Sequence, residues 1–187
     1  TQKDLSDNNE GGNMPDKGLL LVFTGNGKGK TTAALGMAMR AAGHGLKVCF
    51  IQFIKGGWQY GELEAVKRFA GLIDFHVMGR GFTWKSENIE EDAQLARSAW
   101  DFACSAIASN TYHTVVLDEF TYLLHYKMLD LEPCLQVLAG RNPEQHVVIT
   151  GRYAPAQLID AADLVTEMQV IKHPLTSGIK AQRGIEF

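Results

Sequence analysis

Apolar residues in this chain come in short unbroken runs, separated by longer stretches of helix-forming composition. Residues 18–23, Gly-Leu-Leu-Leu-Val-Phe, form the first run, and a glycine-rich turn closes it. That is the pattern of a strand covered on both faces, as in a parallel sheet. Residues 30–42 then carry Ala33, Ala34, Leu35, Met37, Ala38 and Met39, strong helix formers, before Gly43 and Gly45 provide a stop. A second strand at 47–54, a helix at 61–70 and a third strand at 73–78 continue the alternation. Ser86 is placed to cap a long helix reaching to about residue 109, with Glu87, Glu90, Glu91 and Asp92 in the first turn, where the helix dipole favours acids. Three more apolar strands at 114–117, 146–149 and 164–170 alternate with helical segments at 131–138 and 155–161. The expected class is therefore α/β, with a mainly parallel central sheet of about six strands joined by right-handed crossovers.

Residues 1–17 break this pattern. They are polar, contain Asn8-Asn9, Gly11-Gly12 and Pro15, and offer no apolar period that would offset their ordering entropy. A flexible N-terminal arm is expected there, followed by one domain over 18–187, since 187 residues suffice for one sizeable core. Lys and Arg number 18 against 21 Asp and Glu, a net charge of -3, which leaves no basic footprint for nucleic acid or an anionic membrane surface. No apolar run approaches a membrane span, and the opening residues lack the layout of a secretory leader. Cys49, Cys104 and Cys134 are scattered and form no CxxC pair, so a reduced, cytoplasmic setting is expected.

The strongest chemical signal is Thr24-Gly25-Asn26-Gly27-Lys28-Gly29-Lys30-Thr31-Thr32, lying between the first strand and the first helix. Glycines there let backbone N–H groups turn onto phosphate oxygens, the helix N-terminus adds its positive end, and Lys30 adds a mobile point charge. Thr31 offers a hydroxyl to a divalent cation. The usual consensus has Gly where this chain has Thr24. A second motif, Val115-Val116-Leu117-Asp118-Glu119, brings two carboxylates to the strand end, where ligands bind in open α/β sheets. One serves the cation's hydration and the other touches cation or nucleotide, in an order the sequence leaves open. Thr150 and Arg152 end a third strand on the same rim, where Arg152 is placed to meet a phosphate or ribose. Arg40 lies too far along the first helix to reach the loop. The expected fold narrows to a P-loop, RecA-like three-layer sandwich.

These motifs occur together with Gly81-Phe82-Thr83-Trp84, Gln52-Phe53-Ile54-Lys55-Gly56, Thr150-Gly151-Arg152 and the ending Lys180-Ala181-Gln182-Arg183-Gly184-Ile185. In that order they resemble the CobA/BtuR-type ATP:corrinoid adenosyltransferases over nearly all of 18–187. The resemblance implies transfer of the 5′-deoxyadenosyl group of ATP to the Co(I) centre of a reduced corrinoid, with release of triphosphate. It implies Mg²⁺ or Mn²⁺ at Thr31, Asp118 and Glu119, and nucleotide contacts from the loop, Glu119 and Arg152. It also implies catalytic roles for Lys30, Phe82 and Trp84, the two aromatics displacing the axial ligand of Co(II) so that it is more easily reduced. An electron-donating reductase such as a flavoprotein, a homodimer, and an arm that orders as a lid complete the implied picture.

Two other readings fit parts of the sequence. A small-molecule kinase or general P-loop ATPase fits the loop and carboxylate strand alone. A DNA-linked RecA-like module fits the fold and is opposed by the net charge. Asp74-Phe75-His76-Val77-Met78-Gly79 has the D-x-H-x-x-G spacing of some cobalt-ligating domains, but it overlaps a strand, and His76 is expected to be structural.

Overall fold

The computed structural model describes residues 17–54, 61–79 and 89–186. The arm at 1–16, the capping Ser86, and both Phe82 and Trp84 lie outside the described residues.

Six strands form one sheet: β1 (Leu20–Thr24), β2 (Val48–Gln52), β3 (Ile73–Val77), β4 (Thr114–Asp118), β5 (His146–Thr150) and β6 (Leu164–Glu167). Their order is β3-β2-β4-β5-β1-β6 and every pairing is parallel, as continuous apolar runs require. β1, β2 and β4 are buried at every position. Edge strand β6 is exposed along its length.

Side-chain alternation sorts the helices into two layers. Leu21, Phe23, Val48, Phe50, Val116 and Val148 point to one face, where α1 (Lys30–Gly43) packs through Ala34, Ala38 and Ala42. This four-residue spacing of small side chains lets α1 lie close against the sheet. Leu20, Val22, Cys49, Ile51, Val115 and Leu117 point to the other face. There they meet α3 (Ile89–Ala108), α4 (Phe120–His125), α5 (Leu131–Ala139) and α6 (Ala156–Ala161). Helix α3 presents Ala96, Ala99, Trp100, Ala103 and Ile107, an apolar stripe at helical spacing, and Trp100 packs on Phe120 with ring centroids 4.9 Å apart. The short α2 (Gly61–Val66) tightens into a 3-10 turn at Lys67–Phe69, so the helix expected over 61–70 ends early. His76 on β3 rests on Phe102, centroids 4.6 Å apart, and Asp74 accepts from the Tyr112 hydroxyl, so this segment is built into the scaffold.

Asp163 ties the edge of the sheet together. Its carboxylate accepts from the Leu20 N–H at 2.9 Å and from the Lys17 ammonium, and Arg141 lies 3.6 Å away. The backbone N–H and then Lys17 hold this carboxyl below the ordinary aspartate range. A carboxyl with a depressed folded pKa stabilises the fold above its unfolded value of about 4 and loses that contribution as pH falls through the folded value. Asp163→Asn is accordingly expected to lower Tm at pH 7 by about 2–4 °C, the effect of losing ~1 kcal/mol in a domain of this size. In thermal melts the gap between variant and parent closes below about pH 4. A constant gap across that range would refute this account.

Candidate functional site

The phosphate loop opens at Gly25. Thr24, which stands where the consensus has Gly, is still a strand residue and pairs in register with Glu167. Gly27 is pressed against the segment after β6, so a Cβ there would lie 2.7 Å from Met168 backbone atoms, and the Gly27 N–H donates to the Met168 carbonyl. Lys30 opens α1, and its ammonium donates to the Gly25 and Gly27 carbonyls at 2.8 and 2.6 Å. Burial, and secondarily the nearby Arg152 guanidinium, hold its pKa below the ordinary lysine range, while Glu119 acts in the opposite sense.

An open cleft of about 760 Å³ runs along this loop. Lys28, Lys30 and Arg152 bring positive charge to its wall, and Thr31, Thr32 and Glu119 also line it. Gly25 and Asn26 do not, and Asn26 is exposed. Arg40 lies at the other end of the sheet, beside His44, His113 and His146, in agreement with its expected distance from the loop.

The two carboxylates of the β4 terminus differ in place. Asp118 is 0% exposed, and Gln52 of β2 stands beside it in register. Asp118 Oδ1 accepts from the Thr31 hydroxyl at 2.8 Å and the Thr150 hydroxyl at 2.7 Å, and Oδ2 accepts from the Gln52 amide at 3.0 Å. Thr150 reaches Asp118 because β5 lies between β1 and β4. The Thr150 oxygen also accepts the Glu119 N–H at 2.9 Å. Glu119 has φ 63°, an uncommon conformation for a side-chain-bearing residue, and this turns it out of the strand to the cleft wall. The two carboxylates thus separate in space: Asp118 is held behind Thr31, and Glu119 lines the cleft.

Arg152 is positioned by an interlock. Gly151 has φ 139°, and a Cβ there would sit 2.2 Å from Thr121 Oγ1. The Thr121 hydroxyl in turn donates to the Arg152 carbonyl. Three lining features were not placed at the cleft from the sequence. Tyr122 comes from α4, Glu62 from α2, and Gly184, Ile185 and Glu186 from the C-terminal segment. Glu186 forms an ion pair with Lys28 of the loop. The Gly-Ile tail was visible as part of the family pattern, but nothing in its composition signals a fold back onto the loop.

The gathered oxygen donors, the Thr31 hydroxyl and the Asp118 and Glu119 carboxylates, are the hard ligands that Mg²⁺ or Mn²⁺ takes. Among the described residues no group of three or more His, Cys, Asp or Glu side chains could hold a metal ion alone. This all-oxygen donor set is of the kind that suits a hard divalent cation.

The ATP:corrinoid adenosyltransferase BtuR/CobO/CobP family matches residues 16–187. The chain belongs to this family. A corrinoid adenosyltransferase of Pseudomonas aeruginosa is 46% identical over 172 residues, covering 92% of this chain and 85% of that protein. Corrinoid adenosyltransferase CobA of Salmonella typhimurium is 43% identical over 172 residues, covering 92% and 87%. The crystal structure of flagellar accessory protein FlaH from Methanocaldococcus jannaschii has a TM-score of 0.54 at 10% identity, over 81% of this chain and 71% of that chain, a likeness of fold alone. As a corrinoid adenosyltransferase family member, the chain is an enzyme whose co-substrate is ATP, and its sheet is the RecA-like one expected from the sequence.

Proposed function

We propose that the protein transfers the 5′-deoxyadenosyl group of ATP to the Co(I) centre of a reduced corrinoid and releases triphosphate. The observation that carries this reading is the cleft itself, in a chain matched by the family over 16–187: three cationic side chains around a phosphate loop. Co(I) brings its own electron pair to the ribose C5′, the C5′–O bond breaks, and triphosphate leaves with that bond's electrons. The protein therefore needs no nucleophilic side chain and no general base. Its work is to orient ATP and to neutralise the leaving group. Lys30, the loop amides and Arg152 serve the phosphates, and Glu119 meets the nucleotide or its cation. Thr31, Asp118 and Glu119 would hold Mg²⁺ or Mn²⁺, which would supply further neutralisation of the departing charge. Product analysis tests the reading: intact triphosphate is expected only when reduced corrinoid is present. Release of ADP and phosphate without corrinoid would restore the kinase or ATPase alternative.

Phe82 and Trp84 are assigned, on the family pattern, to the lower face of the corrinoid, where they exclude water and displace the axial ligand. Phe82→Ala and Trp84→Ala are each expected to leave ATP affinity within about twofold, since neither residue belongs to the phosphate loop. Turnover from Co(II) with a reductase is expected to fall more than turnover from chemically prepared Co(I). Equal losses in both assays would remove the axial-ligand role.

A homodimer, an electron-donating reductase such as a flavoprotein, and an arm at 1–17 that closes as a lid rest on the family resemblance. The cytoplasmic assignment is supported by three free cysteines. Among the described residues no helix is long and apolar enough to cross a membrane.

A further inference from the structure

Gln52 ends β2, beside the carboxylate strand, and is 0% exposed. Its amide nitrogen donates to Asp118 Oδ2 at 3.0 Å. Its carbonyl oxygen Oε1 is buried and has no hydrogen-bond partner among the described residues. Leaving such an acceptor unsatisfied costs about 1–3 kcal/mol, which an apolar side chain of similar size would avoid. The same side chain gives the buried Asp118 carboxylate a donor, so its cost is tied to a hold on Asp118. What the amide achieves is control of Asp118. The hydroxyls of Thr31 and Thr150 grip only Oδ1. A contact at Oδ1 does not by itself set the carboxylate plane, because the Asp terminal torsion is broad and soft. Gln52 fixes the other oxygen and with it the carboxylate plane.

We propose that Gln52 is a positioning residue, locking Asp118 so that its carboxylate and the Thr31 hydroxyl are presented together to the divalent cation that accompanies the triphosphate. This deepens the reading of the cleft as a site for ATP with its cation and rests on it, but it does not depend on the corrinoid. Gln52 acts through Asp118 and touches neither substrate. Its effect belongs to metal-dependent binding rather than to the grip of Lys30 and the loop amides on phosphate.

Gln52→Met keeps the length and removes both polar atoms. ATP affinity of the purified protein is measured by calorimetry in EDTA and again in Mg²⁺, with no corrinoid present, alongside Tm. Binding in EDTA is expected within about twofold of the parent, and the gain in affinity given by Mg²⁺ is expected to shrink about tenfold, in line with the effect of losing the partner of a metal-ligating group. Tm is expected to change by no more than about 4 °C, because the gain from removing the unsatisfied carbonyl is offset by the loss of a donor to the buried Asp118 Oδ2. Mn²⁺ in place of Mg²⁺, read by the paramagnetic signal of the bound ion, is expected to show the same weakening. An undiminished Mg²⁺ gain would overturn the proposal. So would a parallel loss of Tm, EDTA binding and Mg²⁺ gain, which would mark Gln52 as a structural residue only. If Gln52→Met does not fold, Gln52→Leu is read in the same way, and failure of both to fold would equally mark a structural role and overturn the proposal. Parental protein that shows the Mg²⁺ gain yet never forms an organocobalt product would refute the proposed reaction while supporting this role for Gln52.

Discussion

Lys30→Ala is expected to abolish measurable adenosyl transfer, with kcat/KM falling by about 10²–10³-fold or more. That corresponds to ~3–4 kcal/mol of stabilisation of the leaving triphosphate, the range seen when one preorganised group facing developing charge is removed. Lys30 is the side chain at which the loop, the first turn of α1 and the cleft converge, with its ammonium 2.6–2.8 Å from two loop carbonyls. It is also held below its ordinary pKa by burial and by Arg152, so the folded protein tolerates its charge rather than needing it. Tm should therefore move by no more than about 2 °C, while calorimetry with ATP shows binding weakened at least tenfold. Retention of more than about a tenth of parental turnover would mean that Lys30 is not the principal phosphate cation.

Asp118→Asn separates function from folding in a different way. Asparagine keeps one oxygen to accept from Thr31 and Thr150, which leaves its amide facing Gln52. A donor would then meet a donor, except that Gln52 can turn its own amide over and present the Oε1 that lacks a partner among the described residues of the parent. The buried network can thus be re-formed with one unsatisfied group exchanged for another. Tm is expected to change by less than about 3 °C, but the charge that the cation requires is lost. The Mg²⁺-dependent gain in ATP affinity should disappear and turnover fall about 10²-fold or more. A variant that unfolds outright would show that the negative charge, and not the hydrogen-bond pattern, holds the ends of β4 and β5 together.

Strand positions were legible because runs such as Leu20–Thr24 and Thr114–Asp118 are apolar on both faces, which only a covered parallel strand permits. Their order was not, since composition does not say that β5 inserts between β1 and β4. That single fact of order brings Thr150 to Asp118. The last strand was expected over 164–170 but stops at Glu167. Met168 gives its N–H to the Thr24 carbonyl and its own carbonyl to Gly27, so its backbone is committed to the loop. Helix α4 escaped notice because six residues are too few for a period, and its entry depends on the left-handed Glu119. Gln52 reads in sequence as an ordinary polar strand end, and gains its meaning only when the sheet sets β2 beside β4.

The dependence of Gly27 on Met168 has a consequence for biosynthesis. The backbone that shapes the loop is made some 140 residues after it, at a sequence separation that makes such contacts slow to form. A nascent chain halted before Leu164 would lack both the second partner of β1 and the wall behind the glycines. Such a chain would carry the whole motif without the backbone that shapes Gly27, so nucleotide is expected to stabilise the sheet mainly once β6 has docked.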